Sequence, residues 1–184
     1  MRNFSALLDA CVLFPTSLSD TLLTTAYKGL YRVHFSIQIV DEAVRNRVKR
    51  GKMSQASADK FKVALFDAFP QSLVEAPKNL ENKVENHPKD RHVLVSAVHV
   101  KVDIIVTSNL KHFPESSLLP WDIEAMHPDD FLIYLCARHG DDVLYDVLTK
   151  QISKYKKPPY TYIEFLSQFQ KQFSSRMLNY TLNS

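Results

Sequence analysis

The run Val102-Asp-Ile-Ile-Val-Thr-Ser108 does most to limit what this chain can fold into. Its β-branched centre predicts a strand, and the turn-like Ser108-Asn109-Leu110 closes it. Ala6 to Asp9 predicts a second buried strand. Around these two the pattern alternates. Pro15 opens a helix that runs to Gly29, and "LYRVHFS" (30–36) is a short strand. Ser36 then caps a helix through "IQIVDEAVRNRVKR" to Gly51. Ser54 starts another, with Phe61, Ala64, Leu65 and Ala68 at helical spacing before Pro70. "SLVEA" (72–76) is a third strand, and Pro88 leads a helix with Val93, Leu94, Ala97 and Val98 on one side. "WDIEAM" (121–126) adds a last strand. Strands alternating with helices predict an α/β fold, a central parallel sheet with helices on both faces in three α/β/α layers.

From "HPDDFL" (127–132) onward only helices are expected, Asp141–Lys154 and Thr161–Met177, divided by "KKPPY" (156–160). The chain therefore divides into a domain over 1–132 and a C-terminal helical extension over 133–184. At 184 residues it can bury one real core.

Several function classes fall away on composition. The three glycines, Gly29, Gly51 and Gly140, each follow a helix-like segment, which leaves none for a phosphate-cradling loop or a dinucleotide fingerprint. Cys11 and Cys136 have no metal-ligand spacing and form no disulfide framework, so a reducing cytoplasm is the expected location. No apolar run approaches a membrane span, and the first residues lack a signal-peptide core. The net charge of +3 is a weak pull toward nucleic acid.

Asp9 interrupts the apolar run "ALLDACVLF", where an unpaired buried carboxylate costs several kcal/mol, roughly. Either it caps a helix or turn, or it faces a cation at a strand's end. Ligands of open parallel sheets collect beyond the carboxyl ends of the strands. There the sequence also places Asn109 after its strand, Asp90 in a helix first turn and Glu42 near a second turn. Four oxygen-bearing side chains suit a hard divalent cation. Each has an ordinary use as well: Asp90 complements a helix dipole, Asn109 suits a turn, and Glu42, like Asp41 beside it, suits a solvated face. Spacing alone leaves both readings open.

The ordered blocks "LLDACVLFP", "DEAVRN", "HPKDRHVL", "VDIIVTSNLKHFP" and "HPDDFL" resemble the PIN-domain family, in particular VapC-like ribonuclease toxins of toxin–antitoxin systems. The resemblance covers about Ala6 to Leu132. It implies a PIN-like fold and a Mg²⁺- or Mn²⁺-dependent endoribonuclease that leaves 5′-phosphate and 3′-hydroxyl ends. The family's acidic cluster maps onto Asp9, Glu42 and Asp90 as metal ligands, with Asn109 where many members carry a fourth aspartate. Thr107 matches a hydroxyl residue of relatives. Lys89 and His112 stand where close relatives often have acids, which makes this site less negative. The implied partners are RNA, with tRNA or rRNA leading, a cognate antitoxin that is often DNA-binding, and a possible second copy in a homodimer. The alternative is a PIN fold that binds RNA or protein without cutting.

"RNRVKRGK" (45–52) ends the Glu42 helix with a basic run. Its cations complement the helix dipole, and Arg45 and Arg47 are also candidate phosphate contacts beside the metal. Arg91 and His92, in the block "DRHVL", join Thr107 as candidate substrate contacts, although a hydrogen-bonded structural place competes for His92. Receiver and haloacid-dehalogenase readings fail on "DACVL", which supplies one acid and places Cys11 where the latter needs a second aspartate.

Overall fold

The computed structural model describes residues 4–154. The expected helix Thr161–Met177 and the break at 156–160 lie outside the described residues. Five strands, β1 (Ser5–Leu8), β2 (Arg32–Ser36), β3 (Leu73–Val74), β4 (Ile104–Val106) and β5 (Glu124–Met126), form one parallel sheet in the order β3-β2-β1-β4-β5. The first strand is central: Ala6 lies opposite Val33 of β2 and Ile104 of β4. Ala6, Leu7, Leu8, Ile105 and Val106 are fully buried. A parallel sheet covered on both faces needs such unbroken apolar runs, which is why these two strands stood out in the sequence.

Helices α1 (Ala10–Leu13) and α2 (Thr16–Tyr27) link β1 to β2, and α3 (Ile37–Lys49) and α4 (Gln55–Ala68) link β2 to β3. Two 3-10 turns, Lys78–Lys83 and Pro88–Asp90, lead into α5 (Arg91–Val100), and α6 (Glu115–Leu118) precedes β5. The chain steps outward from β1 through β2 to β3, then crosses back to β4 and β5. Right-handed crossovers taken in opposite directions put helices on opposite faces. The α/β architecture expected from the alternation is the one observed. Local capping follows the sequence: the hydroxyls of Ser36 and Ser54 accept from the Ile39 and Ser57 N–H groups. Gly51 ends the α3 segment with φ +65°, a conformation that costs a side chain dearly.

Helix α7 (Pro128–His139) runs through the expected boundary, and its Phe131, Leu132, Leu135 and Cys136 join the buried cluster around β1. The Phe131 ring meets Tyr31 edge-on at 4.9 Å. Helix α8 (Asp141–Lys154) then packs on α2. Gln151 accepts from the Thr21 hydroxyl at 2.7 Å and donates to the Ser17 carbonyl at 2.9 Å, while Lys28 pairs with Asp146. Among the described residues, no helix is long and apolar enough to cross a membrane.

Candidate active site

Strand order reverses between β1 and β4, and a sheet of this kind opens a crevice at that point, beyond the carboxyl ends of the strands. Asp9 follows β1 there. Its N–H extends the ladder to the Val106 carbonyl at 3.1 Å. Its carboxylate occupies the N-cap position of α1 but makes no capping bond. Instead Oδ2 accepts from the Thr107 hydroxyl at 2.7 Å and from the Cys11 thiol at 3.1 Å. Asp9 is only 4% exposed, and no cation pairs with it among the described residues.

The two donors are themselves held. Thr107 Oγ1 accepts from the Asn109 N–H at 3.0 Å, and Cys11 Sγ accepts from the Ser108 N–H at 3.2 Å. Burial first, and the Asp9 charge second, push the Cys11 thiol up to about 12, so at neutral pH it keeps its proton and serves as a donor. Cys11 therefore takes part in holding the Asp9 carboxylate.

Asp90 begins α5, whose N-terminus reaches the same edge because the helix runs back against the strands. It too makes no capping bond. Its Oδ2 lies 2.5 Å from His112 Nδ1 in the turn after β4. His87 stacks on His112 with ring centroids 4.0 Å apart and planes 12° from parallel. Ligating atoms of His87, Asp90 and His112 all lie within 4.8 Å of one another. Sequence reasoning noted His112 only as a missing acid and passed over His87. The signal for both was two imidazoles in the turns that flank the candidate acids.

Glu42 lies on α3 with Oε2 3.8 Å from His92 Nε2, too long for a hydrogen bond. That nitrogen is buried without a hydrogen-bond partner. Asp41, one residue and about 100° around the helix, turns toward α4 and pairs with Lys62 at 2.5 Å. The Asn109 side chain makes no hydrogen bond among the described residues, while its carbonyl accepts from the His112 N–H at 2.8 Å. Asp9, Thr107, Asn109, His112 and Asp90 are thus joined in one run of contacts, and Glu42 approaches the start of α5 through His92.

One expected substrate contact is corrected. Arg47 is 2% exposed, and its guanidinium donates to the Leu13 and Phe14 carbonyls and the Ser19 hydroxyl and lies over the Phe61 ring. It ties α3 to the loop between α1 and α2 and presents nothing to a phosphate. Arg45, two residues earlier, is exposed and lines a 380 Å³ groove between α3 and α4 with Lys49 and Lys62. Arg91, the next residue after Asp90, has a buried Nε with no hydrogen-bond partner.

Residues 128–177 match the family described as the VapC50 C-terminal domain. Over 78 residues the chain is 44% identical to "Putative ribonuclease VapC50" of Mycobacterium tuberculosis. Both matches support a likeness to the VapC-like PIN proteins. The second covers 42% of this chain and 46% of the VapC50 protein, so the chain spans less than half of its relative's length. No solved structure matches. The VapC-like family implies a divalent cation; among the described residues the ligand atoms that come within 4.8 Å of one another are those of His87, Asp90 and His112, a nitrogen–oxygen set that fits such an ion, and Asp9 and Glu42 lie outside that group.

Proposed function

We propose that the protein is a metal-dependent endoribonuclease of the VapC type, the toxin of a toxin–antitoxin pair. The single observation behind this reading is the Asp9 carboxylate, held at the sheet's switch point by Thr107 and Cys11 with no cation paired to it among the described residues. A buried charge in that state is costly unless something positive completes it.

Asp9, Asp90 and Glu42 would hold a Mg²⁺ or Mn²⁺ ion. When bound, the ion acidifies a water, orients the scissile phosphate and neutralises developing charge. The chain's own residues do the rest. Thr107 fixes the Asp9 rotamer, and Glu42 accepts a proton from the attacking water. Asn109, with its amide unengaged, positions a phosphate oxygen. Arg45 and Arg91 supply positive charge along the strand path, and His92, its Nε2 buried 3.8 Å from the Glu42 carboxylate, sits behind that acid. In-line attack by water leaves 5′-phosphate and 3′-hydroxyl ends. tRNA or rRNA is the substrate class, and a cognate antitoxin, DNA-binding in many such systems, covers the site. The protein works in the cytoplasm, as a monomer or homodimer.

One observation favours a second reading, a non-catalytic RNA- or protein-binding module: His112 already engages the Asp90 carboxylate. A single assay separates the two. Purified protein is incubated with total RNA and Mg²⁺ or Mn²⁺, beside an EDTA control and the Asp90→Asn variant. Cleavage that needs both the ion and Asp90 is expected. Intact RNA under every ion establishes the binding module instead.

A further inference from the structure

The Asp90 end of the site differs in chemistry from its Asp9 end. We infer that His87, Asp90 and His112 form a mixed nitrogen–oxygen site that binds a first-row transition-metal ion, Mn²⁺ through Zn²⁺, in preference to Mg²⁺. The inference deepens the ribonuclease reading and rests on its placing of Asp90 as a metal ligand.

Three observations carry it. The first is the donor set. Mg²⁺ selects oxygen and gives up its water reluctantly, whereas imidazole suits the later ions, whose affinity climbs from Mn²⁺ to Zn²⁺ apart from the copper maximum. Two nitrogens and one carboxylate within 4.8 Å form a set that matches the latter.

The second is preorganisation. The two turns that carry the ligands are laced by backbone bonds: the His87 N–H donates to the His112 carbonyl at 3.2 Å, and the Asp90 N–H to the His87 carbonyl at 2.9 Å. Asn86, itself buried, donates through Nδ2 to the Asp90 carbonyl at 3.0 Å. Nδ1 of His87 accepts from the Lys89 N–H at 3.3 Å, so that nitrogen carries a lone pair, and the contact is weak enough to surrender. Stacking against His112 fixes the plane of the ring. The turns that carry the ligands therefore need little reordering, while one imidazole must rotate out of the stack so that both in-plane lone pairs reach the same ion.

The third is an orphan. Asn86 Oδ1 is buried and has no hydrogen-bond partner, one residue from His87. Native proteins rarely leave such an oxygen unsatisfied. A water held on the ion would supply the missing donor.

The test uses the full chain and Co²⁺ as a spectroscopic probe, titrated through its visible d–d bands and then challenged with competing ions. Zn²⁺ should displace Co²⁺ readily, Mn²⁺ less readily, and Mg²⁺ only in large excess. His87→Gln and His112→Gln should each weaken Co²⁺ binding by more than the roughly 10–100-fold typical of losing a ligand's supporting partner. His112→Asp, which restores an acid, should keep an ion but let Mg²⁺ compete. Circular dichroism checks that each variant is folded. Equal competition by Mg²⁺ in the wild type overturns the inference, as does unchanged Co²⁺ affinity in both glutamine variants. Histidine-dependent Co²⁺ binding in a protein that leaves RNA intact would uphold this site and sink the ribonuclease reading. RNA cleavage with Mg²⁺ that ignores both histidines would do the reverse.

Discussion

The two ends of the candidate site hold their carboxylates in opposite ways. Asp9 is 4% exposed and meets two neutral donors, Thr107 and Cys11, that reach it from the turn after β4 and from its own turn. The Asp90 side chain is 14% exposed and meets an imidazole that can carry charge or bind metal. The first arrangement orients a carboxylate through a hydroxyl and a thiol. The second sets an imidazole directly on the carboxylate, and a ligand there must take over the imidazole's place or share it. A pair of acids that look equivalent in the sequence thus differ in what they cost the folded protein and in what they offer a cation.

The largest expected effect treats the two ends alike. Asp9→Asn and Asp90→Asn should each lower metal-dependent RNA cleavage by about 100-fold or more, since several kcal/mol of charge stabilisation is at stake. Cleavage kinetics on a labelled RNA check this, and a variant that cuts at the wild-type rate removes its acid from the site.

Next in size, Thr107→Val should destabilise the protein by about 1–3 kcal/mol, because it strips the shorter hydrogen bond from a buried carboxylate. Urea unfolding measures it. No such loss is expected for Asn109→Ala, whose side chain makes no hydrogen bond among the described residues.

Metal-free melting then separates the ends by sign. Asp9→Asn keeps the shape, lets its amide oxygen accept from Thr107, and removes a buried charge that has no cationic partner among the described residues. It should melt higher than wild type, by about 2–4 °C for each kcal/mol regained. Asp90→Asn removes the anion opposite His112 and should melt at the same temperature or lower. Equal shifts of one sign would erase the contrast.

The smallest effect uses Cys11 as a reporter. Its thiol is raised to about 12 chiefly by burial and next by the Asp9 charge, so alkylation by iodoacetamide at neutral pH should be slow and should quicken only as pH rises toward that value. Asp9→Asn removes the second cause, lowers the thiol's pKa and should speed alkylation of Cys11, mapped by mass spectrometry against buried Cys136. Asp90→Asn should leave the rate unchanged.

Much of this was legible beforehand, for local reasons. A buried parallel strand has to be apolar on both faces, so "ALL" and "IIV" announced the sheet, and Asp9 stood out as the one residue whose placement there needs explaining. Ser36 and Ser54 capped their helices as their side-chain chemistry predicts. Those inferences depend on neighbours a few residues away. The rest depends on partners far along the chain. Arg45 and Arg47 belong to one basic run, yet one is exposed and the other is spent on carbonyls at Leu13 and Phe14. Asp41 and Glu42 are adjacent acids, and only the packing of α3 against α4 sends the first to Lys62 and leaves the second near His92. His87 and His112 show in the sequence only as imidazoles near the candidate acids, and nothing there pairs them with each other. They meet because the turn before α5 and the turn after β4 close on the same sheet edge, and a tertiary contact of that kind has no periodicity for a sequence to display.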